Sequence, residues 1–168
     1  MNTATADYQA KSTDTLSFNL TQDEKLIGRL FYKGWFKFAA SVELANSSTY
    51  QIESKGFWGT TIELKEGDNL LITFSMDWRG QIVLQTNFQD SVKEYLFKHR
   101  GVFKESFVLI DKAENELLVM KPDLKWSKLN FDYQVSTSDS FESSYRKELL
   151  LMTCLHCANY YMSLIGCM

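Results

Sequence analysis

Proline, cysteine and glycine are scarce in this sequence of 168 residues. It has one proline, Pro122, and eight glycines, which excludes a collagen-like repeat. Three cysteines, all within the last fifteen residues, are an odd number and cannot form the disulfide framework of a small secreted domain. A basic excess is also lacking, because 18 Lys and Arg face 21 Asp and Glu. We therefore expect no nucleic-acid partner.

The first fifteen residues lack the basic start and apolar run of a signal peptide. They are polar, and we expect residues 1–15 to be a flexible tail. Together with the cysteine content, this predicts a reduced, cytoplasmic location. Hydrophobic residues make up 45 % of the chain and aromatic residues 14 %, enough for a large core. Residues 16–168 are predicted to form one domain.

Apolar residues alternate with a period of two through most of the chain, which is typical of half-buried strands. The clearest examples are the segments 36–44, 70–76 and 129–135. Turn signals rich in Gly, Asn, Asp and Ser separate the segments, with no helical pattern between them. This predicts consecutive antiparallel strands. Ten or eleven strands are expected, with a twelfth plausible near Leu16–Leu20, over segments 26–32, 36–44, 50–53, 57–64, 70–76, 82–86, 95–98, 107–111, 117–120 and 129–135.

The last segment changes period and predicts one helix over about residues 143–165. It carries no charge from Leu149 onward and is apolar on nearly every side, so protein or lipid must enclose it. A sheet of about twelve strands can curl around it and so lose its exposed edges. The alternative is a C-terminal membrane anchor. Four polar residues disfavour an anchor, and inside a barrel they could pair with inward polar groups: Thr153, His156, Asn159 and Ser163.

The predicted meander of strands is followed by one hydrophobic helix, and its middle strands carry the motifs Phe57-Trp58-Gly59 and Asp77-Trp78-Arg79-Gly80. In this order of elements and these motifs the chain resembles the tubby C-terminal domain. LURP-one-related proteins and phospholipid scramblases are similar in architecture. The resemblance implies a closed antiparallel barrel of about twelve strands around the C-terminal helix. It also implies a module that, in some members, binds phosphoinositide headgroups, but no family binding residues can be carried over to this chain.

Catalytic and metal-binding patterns are weak. Cys154-Leu155-His156-Cys157 lies in the middle of the predicted helix, where apolar surroundings raise rather than lower a thiol pKa. His156 projects away from Cys157, and His99 is expected on a distant turn, so four zinc ligands do not converge. We interpret both cysteines as core residues and expect no enzyme activity, no metal and no cofactor.

Basic residues interleaved with aromatic ones form two windows, 25–42 and 93–104. This pattern suits anionic phospholipid headgroups or an acidic protein surface. The prediction is a non-catalytic binding module, peripheral to the membrane. The alternatives are a protein-interaction or structural domain, a small-molecule carrier, whose lumen the helix would occupy, and a membrane-anchored protein. The candidate anionic-ligand patch comprises Lys25, Arg29, Lys33, Lys37, Lys98, Arg100 and Lys104.

Overall fold

The computed structural model describes residues 5–34, 39–55, 61–101, 105–123 and 131–166. They form twelve strands and two helices. In chain order these are β1 Ala6–Ser12, β2 Ser17–Gln22, β3 Lys25–Tyr32, β4 Ala40–Leu44, β5 Thr49–Lys55, β6 Thr61–Glu66, β7 Asn69–Met76, β8 Ile82–Phe88, β9 Ser91–Arg100, β10 Ser106–Asp111, β11 Glu116–Asp123, β12 Asp132–Thr137, α1 Asp139–Glu142 and α2 Lys147–Gly166.

The strands form one closed antiparallel barrel. Each strand pairs with the next in the chain, and β1 pairs with β12 to complete the ring. In that closing pair Ala6 lies opposite Thr137, and Tyr8 lies opposite Val135. Because the ring is closed, none of the twelve described strands is an edge strand. The predicted fold class, a twelve-stranded barrel enclosing a C-terminal helix, is confirmed.

The first strand corrects the expectation of a flexible tail over residues 1–15. Residues 6–12 form β1, which hydrogen-bonds to two neighbours and closes the ring. Its inward side chains are Tyr8, Ala10 and Ser12. Two of these are small or polar, so the alternation of apolar residues is faint in the sequence. The strand is held by its partners rather than by its own hydrophobicity.

The helical segment has two parts instead of the single helix predicted from residue 143. Ser138 caps the short α1, and its side chain accepts a hydrogen bond from the backbone N–H of Phe141. Arg146 then adopts a left-handed backbone conformation with φ of 54°. A non-glycine residue in that region breaks a helix, so α2 starts at Lys147.

Helix α2 fills the lumen. Every side chain from Leu149 to Asn159 is buried. The helix passes close to the wall at Gly28, where a Cβ atom would lie 3.1 Å from the Met152 sulfur. Among the described residues, no helix is both long enough and apolar enough to cross a membrane.

The barrel has two rims of different origin. Even-numbered strands end at the rim where α2 begins, which we call the lower rim; its five turns are residues 23–24, 45–48, 67–68, 89–90 and 112–115. Odd-numbered strands end at the opposite rim, which we call the upper rim, and α2 runs toward it. Connections therefore alternate between the two rims along the chain.

Candidate binding surfaces and the lumen

The two basic windows lie on opposite walls of the barrel. The first window includes β3 and the second includes β9, and these strands are six places apart in a ring of twelve. The structure therefore does not bring the described members of the candidate patch together on one wall. Their role in binding anions stays a prediction.

Within the first window the described bases spread over the height of the barrel. Lys25 starts β3 at the lower rim, Arg29 faces outward midway along β3, and Lys33 follows β3 at the upper rim. All three side chains are exposed. Arg29 lies opposite Glu43 of β4 in the strand register. Lys37 lies outside the described residues.

In the second window, Lys98 and Arg100 both face outward from β9. Lys98 is half-buried, whereas Arg100 is exposed and forms an ion pair with Glu116. Arg100 is the last residue of β9 and so belongs to the upper rim. Lys104 lies outside the described residues.

The lumen contains a directional chain of hydrogen bonds. The Tyr133 hydroxyl donates to Asn159 Oδ1 at 2.9 Å, and Asn159 Nδ2 donates to the Tyr32 hydroxyl oxygen at 3.2 Å. The Tyr32 hydroxyl in turn lies 2.9 Å from His156 Nδ1, which can accept a hydrogen bond from it in the tautomer protonated at Nε2. Burial raises the pKa of Tyr133, and burial raises that of Tyr32 despite the opposing hydrogen bond from Asn159. The expected pairing with inward polar groups is confirmed for His156 and Asn159. Thr153 and Ser163 instead donate to backbone carbonyls of α2, those of Leu149 and Asn159, both at 2.8 Å.

The surroundings of Cys154 and Cys157 in α2 disfavour both redox reactivity of the thiols and metal binding. Cys154 and Cys157 are free and buried, and burial raises the pKa of both thiols. In the described part of the chain, no three His, Cys, Asp or Glu side chains could hold a metal ion together. His99 lies in β9 rather than on a turn, with its ring stacked on Tyr161 at 5.3 Å.

The two surface cavities described in the structure are lined by more acids than bases. A groove of about 580 Å³ lies over the outer faces of β1 and β2, where Asp7, Asp23 and Glu24 outnumber Lys11. A smaller cavity of about 200 Å³ at the lower rim has Glu66 and Glu148 beside Arg146. Neither cavity is suited to an anionic ligand.

The lower rim is acidic. Its five turns hold five acidic residues, one basic residue and no aromatic residue. Arg146, which precedes α2 at this rim, has Nη2 3.8 Å from a Glu66 oxygen, and its guanidinium carbon lies 5.7 Å from the Phe88 ring centroid. Among the described residues this charge is only partly balanced, because the buried Nη1 of Arg146 has no hydrogen-bond partner there. This rim would repel an anionic surface.

The upper rim presents the most exposed large hydrophobic side chain of the described residues, Trp78, which is 87 % exposed. The guanidinium carbon of Arg79 lies 4.8 Å from the Trp78 ring centroid. Leu164, in the last turn of α2, is also exposed. Lys33 is another exposed base at this rim, in addition to Arg79 and the ion-paired Arg100.

The sequences of the connections between strands show the same contrast between acidic segments and segments rich in bases and tryptophan. The segments that follow odd-numbered strands contain six basic residues, three acidic residues and all four tryptophans of the chain. Residues 35–38, 56–60, 102–104 and 124–130 of these segments lie outside the described residues, so for them the count is a property of the sequence alone.

Sequence reasoning missed Trp78 and Arg79 as candidate functional residues. It grouped bases into windows of consecutive residues, but a meander places alternate connections at the same rim. The signal that could have found them is the alternation itself. Trp, Lys or Arg occur in five of the six connections that follow odd-numbered strands, and acids occur in four of the five turns of the lower rim.

Comparison of the chain with family models, curated proteins and solved structures gives no match. The resemblance to the tubby C-terminal domain therefore stays a prediction.

Proposed function

We propose that this chain is a non-catalytic binding module that docks its upper rim on an anionic phospholipid surface. Two observations carry the proposal: the opposite composition, in the sequence, of the connections that follow odd-numbered and even-numbered strands, and the exposure of Trp78, Arg79 and Lys33 at the upper rim. A base near an anionic bilayer contributes about 1 kcal/mol of attraction, and tryptophan favours the interface between headgroups and acyl chains. The acidic lower rim favours the same orientation, because repulsion turns it away from the bilayer.

The filled lumen disfavours the carrier alternative. The positions where a small ligand would sit are occupied by the buried side chains of α2, from Leu149 to Asn159. The two surface cavities described above are lined by more acids than bases, so neither suits a single anionic headgroup. These observations support a mode of binding in which the upper rim contacts many lipid headgroups at once.

Co-sedimentation with lipid vesicles tests the proposal. The full chain should bind vesicles that contain phosphatidylserine and leave vesicles of phosphatidylcholine alone unbound. Binding should weaken as salt rises, because the screening length falls from about 10 Å at 0.1 M to about 3 Å at 1 M. An absence of binding to anionic vesicles at low salt, or equal binding to neutral vesicles, would contradict the proposal.

Two lysine variants with the same change in net charge provide the control. Lys33 is exposed at the upper rim and Lys112 is exposed at the lower rim. Lys33→Glu should weaken binding by roughly thirtyfold, since reversing one charge removes about 2 kcal/mol of attraction. Lys112→Glu should leave binding almost unchanged. Equal losses in both variants would mean that net charge, and not the upper rim, governs binding.

A further inference from the structure

The turn after β7 is rigid and holds its two central side chains outward. The backbone N–H of Asp77 donates to the Gln81 carbonyl at 2.7 Å, and Gly80 N–H donates to the Asp77 carbonyl at 3.1 Å. Asp77 Oδ1 accepts from the backbone N–H groups of Arg79 at 2.8 Å and Gln81 at 3.0 Å. Such a turn has little conformational entropy left to lose on binding.

The lower rim contains a turn with the same hydrogen bonds. In the turn after β10, Asp111 N–H donates to the Asn115 carbonyl and Glu114 N–H donates to the Asp111 carbonyl, both at 3.1 Å. Asp111 Oδ1 accepts from the N–H groups of Ala113 and Asn115, both at 2.9 Å. Glu114 and Gly80 both have positive φ, at 64° and 76°.

These equivalent turns differ in what they present to solvent. Where the upper turn has Trp78 and Arg79, the lower turn has Lys112 and Ala113. The turn therefore forms without an aromatic residue, so local structure does not account for Trp78. Among the described residues, the ring contact that the structure gives for Trp78 is the guanidinium of Arg79. An indole left 87 % exposed forgoes the free energy of burial unless something else covers it.

We propose that the turn Asp77–Gln81 is the membrane anchor of the upper rim. This inference rests on the proposed function and names the insertion point and the orientation. Trp78 enters the interface, where its ring meets the upper acyl chains, and Arg79 binds lipid phosphate while stacked on the ring. The cation–π contact holds the guanidinium beside the indole, so the pair docks as one unit. The barrel axis then stands steeply on the bilayer, with the acidic lower rim pointing away.

The test measures how anchor variants partition onto phosphatidylserine-containing vesicles. Trp78→Ala should weaken binding about tenfold at all salt concentrations, because the lost contribution is apolar burial. Arg79→Ala should weaken it about fivefold at low salt and little at high salt, because the lost contribution is electrostatic. The thermal unfolding midpoints of both variants should match that of the parent chain, since both side chains point into solvent.

Two control variants check position rather than composition. The double variant Lys112→Trp with Ala113→Arg places the same pair on the equivalent turn of the acidic rim and should not increase binding. Tyr145→Ala, which removes a half-exposed ring at the lower rim, should leave binding unchanged.

Quenching by brominated lipids gives a second readout of depth. Vesicles with bromines high on the acyl chains should quench more tryptophan emission in the parent chain than in Trp78→Phe.

If the parent chain binds but Trp78→Ala binds equally well, the anchor is wrong while the proposed function stands. If the parent chain does not bind, both are overturned. If the transplanted pair increases binding as strongly as the original, the rim assignment is wrong.

Discussion

Individual polar residues in the lumen hold the helix at one rotation and one depth. Tyr133 and Tyr32 point inward from strands β12 and β3, which lie on different parts of the ring, and both bond to α2. Sliding or rotating the helix by one residue would leave four buried polar groups without these partners. Each such group costs about 1–3 kcal/mol, so a small chain of side chains selects one arrangement among many apolar ones.

We expect Tyr133→Phe to destabilise the protein by about 1–3 kcal/mol. The change keeps the ring but removes the hydroxyl, which leaves Asn159 Oδ1 without its 2.9 Å donor in the lumen. Urea unfolding followed by circular dichroism measures the difference. Tyr145→Phe is the matched control, because its ring is half-exposed and the change should cost under about 0.5 kcal/mol. Equal costs for the two variants would show that the lumenal chain contributes nothing.

Among the elements, β3 carries the closest approach of wall and helix. A Cβ at Gly28 would lie 3.1 Å from both the Met152 sulfur and the Glu43 carbonyl oxygen. Only glycine fits at this position without movement of its neighbours. The Glu43 carbonyl belongs to the backbone of β4, so it cannot shift without moving that strand. The position of α2 against β3 and β4 therefore depends on a missing side chain.

Gly28→Ala should cost about 1–3 kcal/mol because it overpacks this contact. Gly34→Ala serves as the control, since a Cβ there meets no atom within 4 Å. Thermal unfolding of the two variants should differ by several degrees for a domain of this size. A Gly28→Ala variant as stable as Gly34→Ala would show that the helix and wall are not in tight contact.

Most elements could be predicted from the sequence because their apolar residues alternate strongly. Segments such as 70–76 and 82–86 correspond closely to β7 and β8. The first strand could not be predicted, because Ala10 and Ser12 replace the large apolar residues that mark an inward face. The sequence predicts a helix start at about residue 143, four residues before α2 begins, since nothing in the sequence signals the left-handed backbone of Arg146.

The candidate site was harder to predict than the fold. Composition along the chain reveals bases near Lys33 and Arg100. Only the order of strands in the ring shows that β3 and β9 lie on opposite walls of the barrel. The sequence predicts a turn at Asp77-Trp78-Arg79-Gly80, but it does not show how far the Trp78 ring is exposed. Its exposure follows from the turn that carries it, which is a property of three-dimensional structure.

At the scale of the whole molecule, one carboxylate links the two strands that close the barrel, β1 and β12, whose pairing we call the seam. Glu142 accepts hydrogen bonds from Tyr8 of β1 at 2.9 Å and from Thr137 of β12 at 2.5 Å. It also accepts from Lys147 at the start of α2. Burial tends to raise the pKa of Glu142, but the hydrogen bonds from Lys147, Thr137 and Tyr8 outweigh it and hold that pKa below its usual value.

Glu142→Gln should reduce the free energy of unfolding by about 1–3 kcal/mol at neutral pH. Because the pKa is lower in the folded state, the carboxylate stabilises the fold above its unfolded pKa of about 4.3. That contribution is lost as pH falls through the folded pKa, so the parent chain and the variant should converge in acid. Urea unfolding at a series of pH values measures this convergence.

Glu114→Gln is the control for the seam, because its side chain is exposed in a lower-rim turn. Its stability should follow that of the parent chain at every pH. A constant difference between the parent chain and Glu142→Gln down to strongly acidic pH would contradict a role for the ionised carboxylate.

The order of elements has a consequence for synthesis. The helix that fills the lumen follows all twelve strands in the chain, so the sheet leaves the ribosome before its interior packing exists. Translation of the 20 residues of α2 takes about 1–4 s at about 5–20 residues/s, whereas hairpins form in about 1–10 μs. While α2 is being synthesised, the apolar inner face of the nascent sheet is therefore exposed. A general chaperone would bind the chain during these seconds.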